Sequence, residues 1–395
     1  VADAGRIRNV AQRVASAKSA GNQVVVVVSA MGDTTDALID LARQITDQPS
    51  PREMDLLLST GETISMTLMS MALHGLGCDA ISLTGAQAGI RTDTLFSRAR
   101  ILSIDPSRVR QELGDGKVVI VAGFQGINEA QDVTTLGRGG SDTTAVALAC
   151  ALKADECQIF TDVTGIYTAD PRVAPEARKL KDISYEEMLE LATLGARVMH
   201  PRSVELGSVY GMPILVASSF SSEPGTLIHE VSSMEARNKV RGIAHDLDVA
   251  KITIVGVPDR PGIAATIFAP LAAAGLSVDT IVQNAGREKF ADLTFTLSKT
   301  DLPRAMQLVQ GIAKDIHARD CISDSDLGKV SIVGTGIQNA PGYAARMFET
   351  LFQEHINIEM ITTSEIRITC VVAENRVADA VRALHRAFEL EQPED

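Results

Sequence analysis

The sequence predicts an α/β protein: a mainly parallel sheet between helix layers, followed by two smaller α+β units. Three observations carry that expectation. Through residues 1–230, short apolar runs alternate with amphipathic helical patterns, which implies parallel strands covered on both faces. Residues 231–250 change character, with Ser232, Ser233 and a charged stretch through Arg241, and read as a linker and strand. Beyond them the chain repeats itself after about 80 residues, too long for a solenoid and suited to two βαββαβ units of ferredoxin-like form.

The elements follow in order. Strands are expected over 24–28, 80–83, 118–122, 157–160 and 214–217, each an apolar run ending in Ser, Thr, Gly or Asp. Helices are expected over 54–74, 142–153, 185–194 and 202–210. In the repeats, Lys251-Ile-Thr-Ile-Val-Gly256 is echoed by Lys329-Val-Ser-Ile-Val-Gly334, and Pro261-Gly262 by Pro341-Gly342. A helix follows each Pro-Gly, with Phe268 and Leu271 in one copy and Phe348 and Leu351 in the other. Each leads to a strand, Leu276-Ser-Val-Asp279 or Ile356-Asn-Ile-Glu359. The expected domains are 1–230, a 231–250 connection, 251–327 and 328–395.

Composition removes several classes of function. With 37 Lys plus Arg against 50 Asp plus Glu, the net charge of -13 opposes a general nucleic-acid binder. The chain has no Trp, and 4% aromatic residues leave few platforms for stacking bases. The run over 24–28 is too short to span a bilayer, and residues 1–20 are polar-patterned rather than signal-like. Five cysteines without a C-x-x-C suggest neither a disulfide framework nor a zinc ribbon. The expectation is a cytoplasmic protein with no membrane and no nucleic-acid partner.

In parallel sheets, ligands bind beyond the carboxyl ends of the strands. Ser29-Ala-Met-Gly-Asp-Thr34-Thr35 follows the first strand, and its small and hydroxylated residues admit an anion, although alone it is an ordinary turn with a helix cap. Thr60-Gly61-Glu62 interrupts a helical pattern with a glycine, which suggests a close approach, and Glu62 could grip an ammonium group. Leu136-Gly-Arg138-Gly139-Gly140-Ser141-Asp142 is sharper: glycines, a forked cation and a helix start together favour a carboxylate or phosphate. It matches neither a P-loop nor a dinucleotide fingerprint. Thr161-Asp162 and Tyr167-Thr168-Ala169-Asp170-Pro171-Arg172 follow the fourth strand with hydroxyls, acids, an aromatic face and a cation that could hold a nucleotide.

Together these segments resemble the aspartate kinases of the amino-acid kinase family. The resemblance runs over the whole chain and is most specific at Gly137–Asp142, Thr161-Asp162 and 167–172. It implies a three-layer αβα kinase domain followed by tandem ACT domains, one inserted within the other, so that residues 239–246 pair with the last unit. It implies transfer of the ATP γ-phosphoryl group to the β-carboxylate of L-aspartate, with Mg²⁺ following from the ATP chemistry and no metal ligands assigned. Ser29, Thr34, Thr35, Glu62 and Arg138 through Asp142 would hold aspartate. Within that set Arg138, Gly139, Gly140 and Asp142 would serve catalysis. Thr161, Asp162, Tyr167 through Arg172, and Arg197 would line the ATP site; relatives often carry lysine in place of Arg197. The carboxylate nucleophile is ionised at pH 7 and needs no general base, which fits a site without histidine.

The resemblance also implies effector residues: Ser277, Val278, Asp279 and Gln283 in the first repeat, and Asn357, Ile358, Ser364 and Glu365 in the second. Lysine and threonine are the expected effectors, although Tyr343 and Ala344 stand where some relatives offer a threonine hydroxyl. An internal start at Met234 would give a separate regulatory subunit and an α2β2 assembly, against a homo-oligomer as the alternative. Relatives open with a Lys-Phe/Tyr-Gly-Gly-Thr/Ser strand whose lysine meets the phosphates. This chain opens at Val1-Ala-Asp-Ala-Gly-Arg6, and the expectation is that it has little activity without that segment. The competing readings are a glutamate or acetylglutamate kinase and a non-catalytic amino-acid sensor.

Overall fold

The computed structural model describes residues 3–195, 198–231, 240–284, 290–337 and 341–393. It divides into two compact units. The first holds Val1–Ile166, Leu180–Ala192 and Arg197–Ser232; the second holds Tyr167–Lys179, Thr193–Ala196 and Ser233–Asp395.

The first unit begins with α1 (Ala4–Ser19), β1 (Val25–Val28), α2 (Thr34–Ile45) and the long α3 (Pro51–Gly75). There follow β2 (Ala80–Leu83), β3 (Ile90–Thr92), β4 (Ile101–Ile104), α4 (Ser107–Gly114), β5 (Val118–Ala122), β6 (Gln125–Ile127) and β7 (Val133–Thr135). It continues with α5 (Gly140–Leu152), β8 (Cys157–Thr161), β9 (Asp182–Ser184), α6 (Tyr185–Thr193), α7 (Pro201–Tyr210), β10 (Ile214–Ser218) and β11 (Thr226–His229). Strands β1, β5 and β2 form a parallel sheet with β5 in the middle. All five residues of β5 are buried, as expected for a strand covered on both faces. Ile7, Ala11 and Val14 of α1 and Met66, Met69 and Leu73 of α3 cover one side. Val109 and Leu113 of α4 and Leu148 of α5 cover the other. The layered αβα arrangement therefore follows from apolar stripes on four helices.

Two further sheets flank this core in sequence. In the order β8-β10-β11-β9, β8 and β10 are parallel and β10 and β11 antiparallel. Short β4, β3, β6 and β7 make a third sheet. Helix α3 is long and apolar enough to cross a membrane by length and composition. Its inward face nevertheless carries buried Asp55, Ser59, Glu62, Ser65 and Ser70, the pattern of a core helix that serves a polar site.

The second unit contains β12 (Gly242–Pro258), α8 (Ile263–Ala273), β13 (Ile281–Gln283), β14 (Phe290–Leu297), α9 (Leu302–Asp315), β15 (Asp320–Val333), α10 (Tyr343–Gln353), β16 (Met360–Thr363), β17 (Arg367–Ala373) and α11 (Val377–Ala387). The two repeats share one antiparallel sheet ordered β13-β14-β12-β15-β17-β16. Strand β12 serves both: Gly242 through Asp246 pair with Val333 through Lys329, whereas Ala250 through Pro258 pair with β14. The exchange expected at 239–246 thus occurs over residues 242–246; Lys239 lies outside the described residues.

The duplication is visible in charge as well as backbone. Lys251 and Lys329 occupy equivalent positions in the two repeats, as do Asp279 and Glu359. The pairs are crossed: Lys251 Nζ meets Glu359 Oε2 at 3.2 Å, and Lys329 Nζ meets Asp279 while also donating to Thr296 Oγ1. Each repeat therefore supplies the counter-ion for the other.

Candidate active site

Strand β1 ends at Val28, whose carbonyl accepts from the Gly123 amide beyond β5 at 3.0 Å. The chain then turns through Ser29 and Ala30 against α3. A methyl group at Gly61 would stand 2.9 Å from the Cβ of Ala30, which explains the glycine in the middle of this helix. One residue on, Glu62 Oε1 accepts from the Ala30 amide at 3.1 Å. Glu62 is only 4% exposed, and its Oε2 is buried without a hydrogen-bond partner among the described residues. Burial pushes its carboxyl up to about 7. A buried acceptor without a donor is costly unless a ligand completes it, and an ammonium group is the fitting complement. Thr34 at the start of α2 donates to the Met31 carbonyl, Thr35 is half-buried and Ser29 is exposed.

The glycine-rich turn is suspended between β7 and α5. Asp55, fully buried on α3, accepts from the Thr135 amide at 2.7 Å, from Thr135 Oγ1 at 2.8 Å and from the Ser97 amide at 2.9 Å. Leu136 is tied back to Phe124 by a 2.8 Å amide–carbonyl bond. Gly139, at φ 68°, is the N-cap of α5, and the Ser141 and Asp142 amides meet no backbone acceptor among the described residues. Arg138 is exposed and makes no hydrogen bond or ion pair with any described residue. A helix N-terminus with open amides beside an unpaired guanidinium is suited to an anion. Asp142 carries a carboxyl pushed up to about 6 by burial. Ser141 stands over Gly123, its Cβ 2.9 Å from where a methyl group there would lie, so the turn sits beside the end of β1 that Glu62 holds.

Three residues at this turn carry no local sequence signal of function: Asp55, His200 and Arg202. Arg202 donates to the Leu136 carbonyl at 2.7 Å and to the Ala99 carbonyl at 3.0 Å. His200 caps α7 and lies against Gly139. A histidine thus packs against the glycine turn, where the sequence reading expected none. The Pro201 that follows His200 occupies the first turn of α7 and is the one helix-start signal that could have drawn attention to it.

Thr161 closes β8, its carbonyl accepting from the Ser219 amide at 2.8 Å and its hydroxyl donating to Asp162 at 3.1 Å. The segment Tyr167–Lys179 belongs to the second unit. There Thr168 is 0% exposed, with Oγ1 2.9 Å from His385 Nε2 and accepting from the Arg178 amide at 2.9 Å. Ala169 and Ala174 sit in the apolar core beneath α10 and α11. The side chains of Thr168 and Ala169 therefore face a protein core. Asp170 grips the Arg172 guanidinium with contacts from 2.8 to 3.2 Å, which holds its carboxyl below the usual range. Tyr167 bridges to Lys179, and Pro171 is exposed. Arg197 and Met234 lie outside the described residues.

Among the described residues, no three His, Cys, Asp or Glu side chains gather to hold a metal. Mg²⁺ commonly travels with nucleotide phosphates and retained waters, held by only one or two carboxylates. Among the effector candidates, Asp279 is occupied by Lys329, and Asn357 donates to Glu359 at 3.0 Å. Ser277 and Glu365 are exposed, Val278 and Ile358 pack against their repeat cores, Gln283 lies on β13, and the Ser364 amide donates to the Arg367 carbonyl.

The sequence model of the amino acid kinase family matches residues 1–218, and two ACT domain models match residues 251–313 and 330–388. The chain is 52% identical over 390 residues to the aspartate kinase Ask_LysC of Stutzerimonas stutzeri, covering 98% of this chain and 94% of that protein. Its fold resembles E. coli aspartokinase III in complex with aspartate and ADP, with a TM-score of 0.74 and 29% identity over 89% of this chain and 79% of that one. The lysine and aspartate complex of the same enzyme gives a TM-score of 0.71 and 27% identity, covering 92% of each chain.

Proposed function

Because the chain belongs to the amino acid kinase family, among its aspartate kinases, we propose that it transfers the γ-phosphoryl group of ATP to the β-carboxylate of L-aspartate. The product is 4-phospho-L-aspartate. The observation that carries this reading is the unpartnered Oε2 of buried Glu62 beside a glycine turn that presents Arg138 and open amides. One end accepts an ammonium and the other an anion, the two groups that an α-amino dicarboxylic acid offers together.

The substrate carboxylate is ionised at neutral pH, so the protein has no proton to remove from it. Its task is to align two anions and offset their repulsion. In this reading Glu62 fixes the amino end, Arg138 meets a carboxylate, and the Ser141 and Asp142 amides face the anionic end of the reaction. Thr161 and Asp162 belong to the nucleotide side. No step is assigned to a metal ion.

The ACT repeats are read as the sensors of lysine, threonine or both, supported by the lysine complex of the E. coli relative. The reaction is then the first committed step toward lysine, threonine and methionine. An internally started subunit at Met234 and a homo-oligomer remain the two assemblies proposed. The test of the chemistry is ADP formation by the full-length protein with Mg-ATP and L-aspartate, with L-glutamate and N-acetylglutamate as controls. Turnover with aspartate alone supports the reading; turnover with a control acid moves the activity elsewhere in the family. ATP binding without turnover favours the sensor.

A further inference from the structure

The turn that bears Arg138 is held at its helix end by its own bonds and elsewhere by its neighbours. Its internal bonds include the Gly140 amide to the Gly137 carbonyl at 3.0 Å, the Thr143 amide and hydroxyl to the Gly139 carbonyl at 3.0 and 2.9 Å, and the Thr144 hydroxyl to the Gly140 carbonyl at 2.8 Å. From outside it meets Asp55 through Thr135, Phe124, and the start of α7. The ring of His200 lies so close that a Cβ on Gly139 would fall 2.2 Å from His200 Cβ and 2.4 Å from Cγ. Nδ1 of the same ring accepts from the Arg202 amide at 3.3 Å, capping α7. Arg202 reaches back to the Leu136 carbonyl, immediately before the turn, and to Ala99. His200-Pro201-Arg202 thus touches the turn at its entry and at the cap of α5. Within this arrangement the imidazole is neutral at pH 7, its pKa lowered by burial and by the charge of Arg202.

We propose that His200 and Arg202 form a brace that sets the geometry of Gly137 through Asp142, which makes His200 a positioning residue for phosphoryl transfer. The kinetic half of this statement rests on the aspartate kinase reading; the structural half does not. A ring wedged against Gly139 fixes where the open amides of α5 point, and the arginine two residues later fixes where the turn begins. Misplacement by a fraction of an ångström weakens alignment without emptying the site. The expected loss is therefore in kcat rather than in ATP affinity.

The experiment uses the full-length protein with His200→Ala, His200→Asn and Arg202→Ala. Amide hydrogen exchange is read for residues 136–142 and, as an internal reference, for Phe290–Leu297. The alanine variants are expected to speed exchange at 136–142 by about tenfold or more and to leave the reference unchanged. In steady-state assays kcat falls by about tenfold or more, with KM for ATP within about twofold of wild type. His200→Asn keeps a capping acceptor but loses the ring, so it restores the melting temperature and not kcat. Unchanged exchange and unchanged kcat in His200→Ala overturn the brace. So does a rise in exchange spread evenly over both peptides in the well-folded His200→Asn protein. Absence of aspartate-dependent turnover in the wild type overturns the functional reading instead and leaves the exchange result to judge the brace alone.

Discussion

Glu62 sets function and stability against each other. Its carboxyl is buried and pushed up to about 7, above the ordinary 4.5, because desolvation penalises the anion. Between those values the folded protein holds more protons than the unfolded chain, so this group's contribution to stability falls as pH rises from about 4.5 to 7. Above pH 7 the full cost, on the order of 3 kcal/mol, is present. Glu62→Gln is therefore expected to stabilise the ligand-free protein at pH 8 and to make little difference near pH 4.5, as read by urea denaturation. The same variant loses the ammonium's counter-charge, and kcat/KM for aspartate drops by about 10- to 100-fold. In the wild type, KM for aspartate falls as pH rises through about 7, and Glu62→Gln abolishes that dependence. An unaltered pH profile in the variant would assign the ionisation to another group.

At the scale of elements, α3 organises the site through two acids two helical turns apart. Glu62 faces the end of β1, and Asp55 holds the end of β7 and the Ser97 amide. Asp55→Asn turns an NH₂ group toward a set of donors, so the expected cost is about 2–3 kcal/mol in unfolding free energy, with faster exchange of the Thr135 amide. These contacts explain which parts of the fold were legible. Strands β2 and β5 were readable to the residue because continuous apolar runs stand out between turns. The three-residue strands β3, β6, β7 and β9 have too few positions to display an alternation. Glu62 was suggested by a glycine within a helical pattern and the Arg138 turn by glycines and a cation at a helix start, whereas Asp55, His200 and Arg202 act on segments 42 to 103 residues away. No local pattern encodes that. Proximity in sequence to Thr161 likewise carries no information about the core in which the side chains of Thr168 and Ala169 are buried.

Across the whole molecule, the second unit is held by charge pairs that look alike and differ in environment. The side chain of Lys329 is 7% exposed, and its partner Asp279 is 53% exposed. Removing Asp279 strands a buried ammonium, whereas removing Glu359 leaves Lys251 with freer access to water. Asp279→Ala is expected to destabilise the second unit by about 2–3 kcal/mol, and Glu359→Ala by about 0–1 kcal/mol. Calorimetric scans of the two variants check the difference, and equal shifts would contradict it.

The shared strand β12 has a consequence for how this region could have been built and how it comes apart. Its first residues close the sheet of the second repeat and its last residues close that of the first. A cut at the irregularity after Asp246 would leave two raw edges rather than two modules. The ancestral copies can no longer be separated, because each has lent the other part of its backbone. They are expected to melt in a single transition despite carrying two apolar cores, and a protease site introduced at Leu247 would release both at once.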